Sequence, residues 1–322
     1  MPRHCGAFLG WESKRGRDEL IRQTLKIGTR GSALALTQTR QIAALLQNQY
    51  PSMQIGVHVI KTTGDRMQDV ALAQIGGKGV FVKELEEALL ERRIDLAVHS
   101  MKDVPALLPE GVEIAAMLER EDPRDVLISK GNFKLERIPA GARIGTGSLR
   151  RIVQLRSWRP DLEIVPIRGN LDTRIRKMKQ GDFGGIVVAA AGIRRMGWAE
   201  QVTQFIPAEK MLPAVGQGVL CLETRCGEED LDTGLAFLED GRTRREVTAE
   251  RAFLRRLGGG CSLPVAAFAE ERGDALVIRG MVGSLDEQTV IRHQLQGSAE
   301  EAADLGTELA DALLDGGGRA FL

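Results

Sequence analysis

The chain has 322 residues, 43% of them hydrophobic and 27% charged, and its 44 basic residues are balanced by 44 acidic ones. That length exceeds one ordinary core and predicts two or three domains. Zero formal charge argues against a globally basic nucleic-acid binder and against an acidic disordered chain, and 4% aromatic content leaves few stacking surfaces for bases. No apolar run reaches the roughly 18–20 residues that span a bilayer.

Residues 1–24 mix glycines with charges of both signs, show no strand or helix period and contain no secretory apolar core. This stretch reads as a poorly ordered extension. From residue 25 strands and helices alternate. Strands are expected at 25–29, 55–61, 94–99 and 112–117, with helices at 33–49 and 80–93, the latter because Phe81, Leu85, Ala88 and Leu89 recur at helical spacing. Asp122-Pro123-Arg124-Asp125 reads as a turn and a domain crossing. The alternation then restarts, with strands at 126–129, 143–146, 163–167 and 185–189 and helices at 148–157, 171–180 and 191–196. Such a rhythm predicts helices packed on largely parallel sheets. A third region begins near Gly241. It has a helix at 243–257, strands at 265–270, 275–282 and 289–295, and a last helix at 299–314 with Ala302, Leu305, Leu309 and Leu313 as its stripe. Grouped strands flanked by helices predict a small α+β domain.

One segment echoes another. IGTRGSAL (27–34) and IGTGSL (144–149) each follow a strand and open a helix. Each places small residues and a hydroxyl, Ser32 or Ser148, where free amides can hold an anion.

Charge is zero overall but not locally. Residues 143–179 contain ten basic residues against three acidic ones. Arg156, Arg159, Arg176, Lys177 and Lys179 read as a solvated helix face. Arg150 and Arg151 do not, because cations at a helix start oppose its dipole. Arg168 ends a strand, at the edge where open α/β sheets bind ligands. These three arginines therefore predict a site for several carboxylates or phosphates. VHSMKDVP (98–105) ends an apolar strand in His99, Ser100, Lys102 and Asp103, and that density of polar types also marks a site. His99 by itself reads as a satisfied core histidine. GGKGVFVKELE (76–86) lacks phosphate-loop spacing and reads as a mobile loop or lid with Phe81 at its edge.

The four cysteines, Cys5, Cys221, Cys226 and Cys261, form no disulfide framework and no CxxC pair. No metal site is expected. Cys261 stands apart, because GGGCSLP (258–264) puts its thiol on an open glycine loop with Arg255 and Arg256 upstream. Chemistry alone leaves it as a covalent attachment point or a nucleophile.

Taken in order, VHSMKDVP, GTGSLRR, IRGN, LPAVGQG and GGC-x-x-P resemble the porphobilinogen deaminase (hydroxymethylbilane synthase) family, from about residue 25 to the end of the chain. The resemblance implies two α/β lobes like type II periplasmic binding proteins, residues 25–118 with 217–238 and residues 122–213. A small α+β domain, 241–322, would carry the cofactor cysteine. It implies a transferase of haem and porphyrin biosynthesis that joins four porphobilinogen molecules head to tail into 1-hydroxymethylbilane, releasing ammonia. One covalent dipyrromethane cofactor per chain would be held by a thioether to Cys261. Asp103 and Lys102 would be the catalytic pair. Lys102, Asp103, Thr146, Ser148, Arg150, Arg151 and Arg168 would hold the cofactor, and Arg30, Ser32, Arg168, Arg174, Arg195 and Gln217 the substrate. A cytoplasmic monomer without nucleic-acid or membrane partners is expected. Gly147 departs from the pattern, since many relatives carry a hydroxyl residue there. The competing reading is a non-catalytic two-lobed binder of an organic anion.

Overall fold

The computed structural model describes residues 22–66, 79, 81–259, 263–286 and 289–322. Cys5, Cys261, most of the glycine-rich segment 76–81 and the extension up to residue 21 lie outside the described residues. The chain opens with β1 (Thr24–Thr29), α1 (Ala33–Gln49) and β2 (Gln54–Val59). The Ser32 hydroxyl caps α1, accepting from the Ala35 amide at 3.2 Å, so one of the donors that a helix start leaves free is satisfied. The short α2 (Thr63–Arg66), α3 (Lys83–Leu90), β3 (Leu96–Ser100) and β4 (Val112–Met117) follow. The helix expected over 80–93 is thus shorter at both ends, and at its far end Arg92 turns left-handed with φ 57°.

The chain then crosses to a second sheet through β5 (Asp125–Ser129), β6 (Arg143–Gly145), α4 (Leu149–Trp158) and β7 (Glu163–Val165). It continues through α5 (Leu171–Gln180), β8 (Gly185–Ala189), α6 (Ala190–Arg195) and β9 (Gln204–Ile206). It returns as β10 (Leu220–Arg225) and α7 (Glu229–Leu235), then enters α8 (Gly241–Arg256). Three strands, β11 (Val265–Arg272), β12 (Ala275–Gly283) and β13 (Val290–Ser298), and α9 (Ala302–Asp315) complete the fold.

The two larger sheets have strand orders β2-β1-β3-β10-β4 and β7-β6-β8-β5-β9. In each, one strand, β1 or β6, lies between two neighbours, β2 and β3 or β7 and β8, and runs parallel to both. In each, the next strand is antiparallel and enters from a crossing, β10 beside β3 and β5 beside β8. The two lobes therefore share one strand order. It also accounts for the sequence echo, since β1 and β6 hold equivalent places, β1 ending in Ile-Gly-Thr and β6 in Ile-Gly just before Thr146. Apolar side chains cover both faces of the first sheet, Ile42 and Leu46 of α1 on one and Leu85 and Leu89 of α3 on the other. The third sheet, β11-β12-β13, is antiparallel. Phe253 of α8 with Leu309 and Leu313 of α9 pack on one face. The other face meets the second lobe through Val153, Leu212, Phe268 and Met281.

Both crossings meet α8. Gly216 and Gly218 of the return crossing have φ of 68° and 94°. A Cβ on Gly218 would lie 2.3 Å from the Glu121 carbonyl oxygen of the outward crossing. Glycine is required there both for the left-handed backbone and for the close approach. Glu250 of α8 is wholly buried. It accepts from the Gly216 amide at 2.6 Å, the Ala269 amide at 2.9 Å and Arg120 Nη2 at 2.8 Å. One carboxylate therefore fastens both crossings to the third sheet. Gly218→Ala is expected to cost about 2 kcal/mol or more, read as a lower urea midpoint; an unchanged midpoint would contradict this packing.

Candidate active site

A cleft of about 1450 Å³, counted with the space at its open mouth, lies between the lobes. Its walls are strand ends and helix starts: Arg30 and Ser32 after β1, Ser100, Lys102 and Asp103 after β3, Gly147 after β6, Arg168 after β7, and Ala189 at the end of β8. The carboxyl ends of strands in open α/β sheets are where ligands bind.

The lining is unbalanced in charge. Arg30, Lys102, Arg151, Arg168, Arg174 and Arg195 face the cleft, against Asp103 and Asp172. Burial, and then the nearby charges of Arg151 and Arg168, push Arg174 down to about 10. Burial pushes Arg195 down to about 10, with Glu121 opposing. Burial also pushes Lys102 down to about 8; Asp103 opposes the shift and the Arg151 charge adds to it. Arg168 is lowered by burial as well. These cations are destabilised where they stand, and an anion in the cleft reverses that. Arg168 makes no hydrogen bond or ion pair among the described residues. The Arg174 Nε donates to the Gly169 carbonyl at 2.7 Å, which aims its fork. The Arg30 guanidinium lies 4.1 Å over the Phe81 ring, a cation–π contact at the cleft wall.

Asp103 ends a single 3₁₀ turn, Met101–Asp103, that follows β3. That turn is held from three directions. The Met101 amide donates to the Val219 carbonyl at 2.9 Å. The Ser100 hydroxyl accepts from Gln38 Nε2 at 3.2 Å. Arg251 of α8 donates to the Pro105 carbonyl at 2.7 Å.

Some expected residues stand elsewhere. Arg150 is buried behind the cleft wall. It donates to Asp125 Oδ2 and to the Leu212 carbonyl, each at 2.7 Å. Arg151 shares the same aspartate, donating to Oδ1 at 2.8 Å, and also lines the cleft. Asp125 is therefore why two arginines occupy a helix start against its dipole. Burial opposes its ionisation, but the two guanidiniums outweigh that and hold it well below the usual carboxylate range. Gln217 does not line the cleft either. Its amide donates to the Pro123 carbonyl at 2.6 Å and to Asp125 Oδ1 at 2.9 Å, so it braces the crossing. Thr146 is buried, and its hydroxyl accepts from the Ser148 amide at 3.4 Å. Ser148 precedes α4 without capping it, unlike Ser32. Gly147 is what meets the cleft on that turn, and a side chain there would crowd the Ile167 carbonyl, 3.2 Å from its Cβ. Arg159, expected on a solvated face, is instead half-buried. It bonds the Leu135 and Ile138 carbonyls and Asp161, because its helix ends against the 135–138 loop. His99 is a core histidine, as read from the sequence.

Sequence reasoning missed Asp125, Gln38 and Trp198. Asp125 had a legible signal, an acid opening the otherwise apolar strand DVLIS. Gln38 and Trp198 had none, because only the tertiary fold turns them to the cleft.

Fold and site together define a two-lobed protein whose central cleft is built for a ligand carrying several anionic groups. A family model described as "Porphobilinogen deaminase, dipyromethane cofactor binding domain" matches residues 25–233, and one for the C-terminal domain of the same family matches residues 244–315. The porphobilinogen deaminase of Syntrophus aciditrophicus is 75% identical over 92% of this chain and 97% of its own. That of Syntrophomonas wolfei is 50% identical over 93% and 98%. The periplasmic aliphatic sulphonate binding protein SsuA of Escherichia coli aligns at a TM-score of 0.40 and 14% identity, over 74% of this chain and 71% of its own. The chain belongs to the porphobilinogen deaminase family.

Removing the buried counter-charge tests this electrostatic design. Asp125→Asn leaves two buried guanidiniums on a neutral amide and is expected to cost about 3–5 kcal/mol. Because the folded-state carboxyl titrates below its unfolded value, the aspartate's contribution is complete above about pH 4 and fades only in more acid solution. The stability gap between wild type and variant, from urea unfolding, should thus be constant from pH 6 to 8. A gap below 1 kcal/mol would contradict the pairing.

Proposed function

We propose that the cleft between the lobes is where this chain carries out its family's reaction, and that Asp103 is the group that acts on the reacting pyrrole. The reaction is the head-to-tail joining of four porphobilinogen molecules to 1-hydroxymethylbilane with loss of ammonia, in tetrapyrrole biosynthesis, by a transferase that uses a dipyrromethane cofactor. The observation that carries the assignment of the site is the excess of desolvated cations on the cleft wall. Every pyrrole unit brings an acetate and a propionate, so a growing chain is a polyanion, and arginine forks grip carboxylates with two hydrogen bonds.

The cofactor suits these residues. Arg151, Arg168 and Lys102 offer donors to its carboxylates, and Arg150 supports Arg151 from behind through Asp125. The buried Nε of Arg151 has no hydrogen-bond partner among the described residues. Ser32 and Gly147 add small surfaces beside helix starts. Thr146 and Gln217 serve by bracing the turn and the crossing. Cys261 is the attachment point. Bound there, the dipyrromethane supplies a tethered pyrrole carbon to which the first substrate unit is joined.

Asp103 works on charge. Loss of ammonia leaves a cationic methylene-pyrroline from the substrate, and a carboxylate against the pyrrole N–H stabilises it. The aminomethyl group is protonated beforehand, as amines with pKa near about 10 are at neutral pH. Asp103 then accepts the proton released as the new bond rearomatises. Lys102, Arg30, Arg174 and Arg195 hold carboxylates of the incoming and joined units. We assign the work to three units, 25–118 with 217–238, 122–213 and 241–322, in a cytoplasmic monomer that needs no nucleic acid or membrane. Among the described residues no helix is long and apolar enough to cross a membrane.

Asp103→Asn should keep its fold and cofactor and lose at least about a hundredfold in kcat; near-normal turnover would remove Asp103 from this role. Cys261→Ser should emerge without covalent cofactor by intact mass, and a normally loaded variant would refute the attachment.

A further inference from the structure

A second polar cluster lies beneath the first sheet, on the face opposite Ser100. Glu86 of α3, His99 of β3 and Glu223 of β10 are all buried, at 7%, 4% and 0% exposure. His99 Nε2 is 3.0 Å from Glu223 Oε2. The strand register puts Glu223 opposite Ala97 and Cys221 opposite His99, so all four share the face that α3 covers. Buried Oε1 atoms of Glu86 and Glu223 have no hydrogen-bond partner among the described residues.

We propose that Glu86 is a positioning residue that keeps its carboxyl proton in the folded enzyme, so that α3 closes on the first sheet without burying an unpartnered carboxylate beside the His99–Glu223 pair while the site is active. The alternative, two ionised carboxyls in one closed interior, places like charges together without solvent.

On β10, Arg225 lies on the same face two residues past Glu223; it donates to the Leu89 and Ile94 carbonyls and pairs with Glu228 and Asp95. On α3, Glu87 is half exposed and adds only more negative charge. On α8, Arg251 and Arg244 act on the Cys221 and Glu223 side, as does Asp103 on Cys221. Arg251 donates to the carbonyls after Asp103, which leaves its charge to act on Glu223, and Arg244 pairs with Glu239. Burial, with the charge of Glu223 adding and that of His99 opposing, raises Glu86 to about 7.

The cluster's location gives the consequence. Glu86 is five residues after Phe81, whose ring lines the cleft under Arg30. His99 is three residues before Lys102 and four before Asp103. Ionising Glu86 loosens α3 from the sheet and shifts both cleft segments relative to each other. The activity part of this inference rests on the cleft being the active site; the stability part does not.

Glu86→Gln tests it in the full-length, cofactor-loaded enzyme. The native state of wild type holds a proton that the unfolded chain gives up near pH 4.5, so wild type loses stability as the pH rises from there to about 7. The variant lacks that loss. The melting temperature of E86Q should gain on wild type by about 2 °C or more between pH 5 and pH 7.5. Glu223→Gln should reduce the wild-type pH dependence in part, since it removes the charge that adds to burial in raising Glu86, and it serves if E86Q folds poorly. The ratio of kcat at pH 8.5 to kcat at pH 6.5 should be at least about threefold higher in E86Q than in wild type. A melting gap that is constant with pH would overturn the held proton. A pH-dependent gap with superimposable kcat profiles would overturn the positioning role. An inactive wild type that still shows the melting effect would instead count against the cleft assignment.

Discussion

Positive charge held out of water is the constraint on which the structure depends. Arg150 and Arg151 share one buried carboxylate, Asp125, which neutralises only one of the two. Arg168, Arg174, Arg195, Lys102 and Arg30 add further cations along the same cleft. Desolvation makes Arg168, Arg174, Arg195 and Lys102 costly in the absence of an anion. The lobes are stable nonetheless because the arrangement is carried by strands and backbone carbonyls: Arg151 is also held by Val187, Arg150 by Leu212, Arg174 by Gly169 and Arg195 by Gly218. A polycarboxylate ligand then completes a field that is already in place, with little reorganisation when it binds.

The proposed assignment requires that field to persist while a bound chain lengthens. The crossings between the lobes are therefore mechanical parts. Glu250 fastens them to the third sheet, and Gln217 links the return crossing to Asp125. The loop after Asp103 is fixed to α8 by Arg251. The Asp103 turn, the crossings and the third domain are consequently joined through one helix. Motion of the second lobe against the first need not disturb Asp103.

Much of the fold was legible because period and punctuation agreed. α1, α5, β4 and β8 lie where their apolar spacing put them. The doubled IGT turn reported the repeated lobe order. β10 was not legible as a strand, since LCLETR carries polar residues that its neighbours pair only after the chain has come back from the other lobe. Of the site, Lys102 and Asp103 were visible as polar crowding at a strand end. Arg150 was visible as a cation set against a helix dipole, but its partner, Asp125, was read as part of a turn although it opens the apolar strand DVLIS. Distinguishing an arginine that binds ligand from one that braces it takes the position of a counter-charge, which sequence spacing does not give.

The most direct measurement is intact mass spectrometry of enzyme stopped during turnover, comparing wild type with Arg168→Leu and Arg174→Leu. The account predicts a ladder of species carrying one to three added pyrrole units in wild type. Each variant should stall on the ladder and accumulate early members, because the carboxylates of later units lose their counter-charge. Ladders identical to wild type in both variants would contradict the claim that the cleft's excess positive charge holds the growing chain.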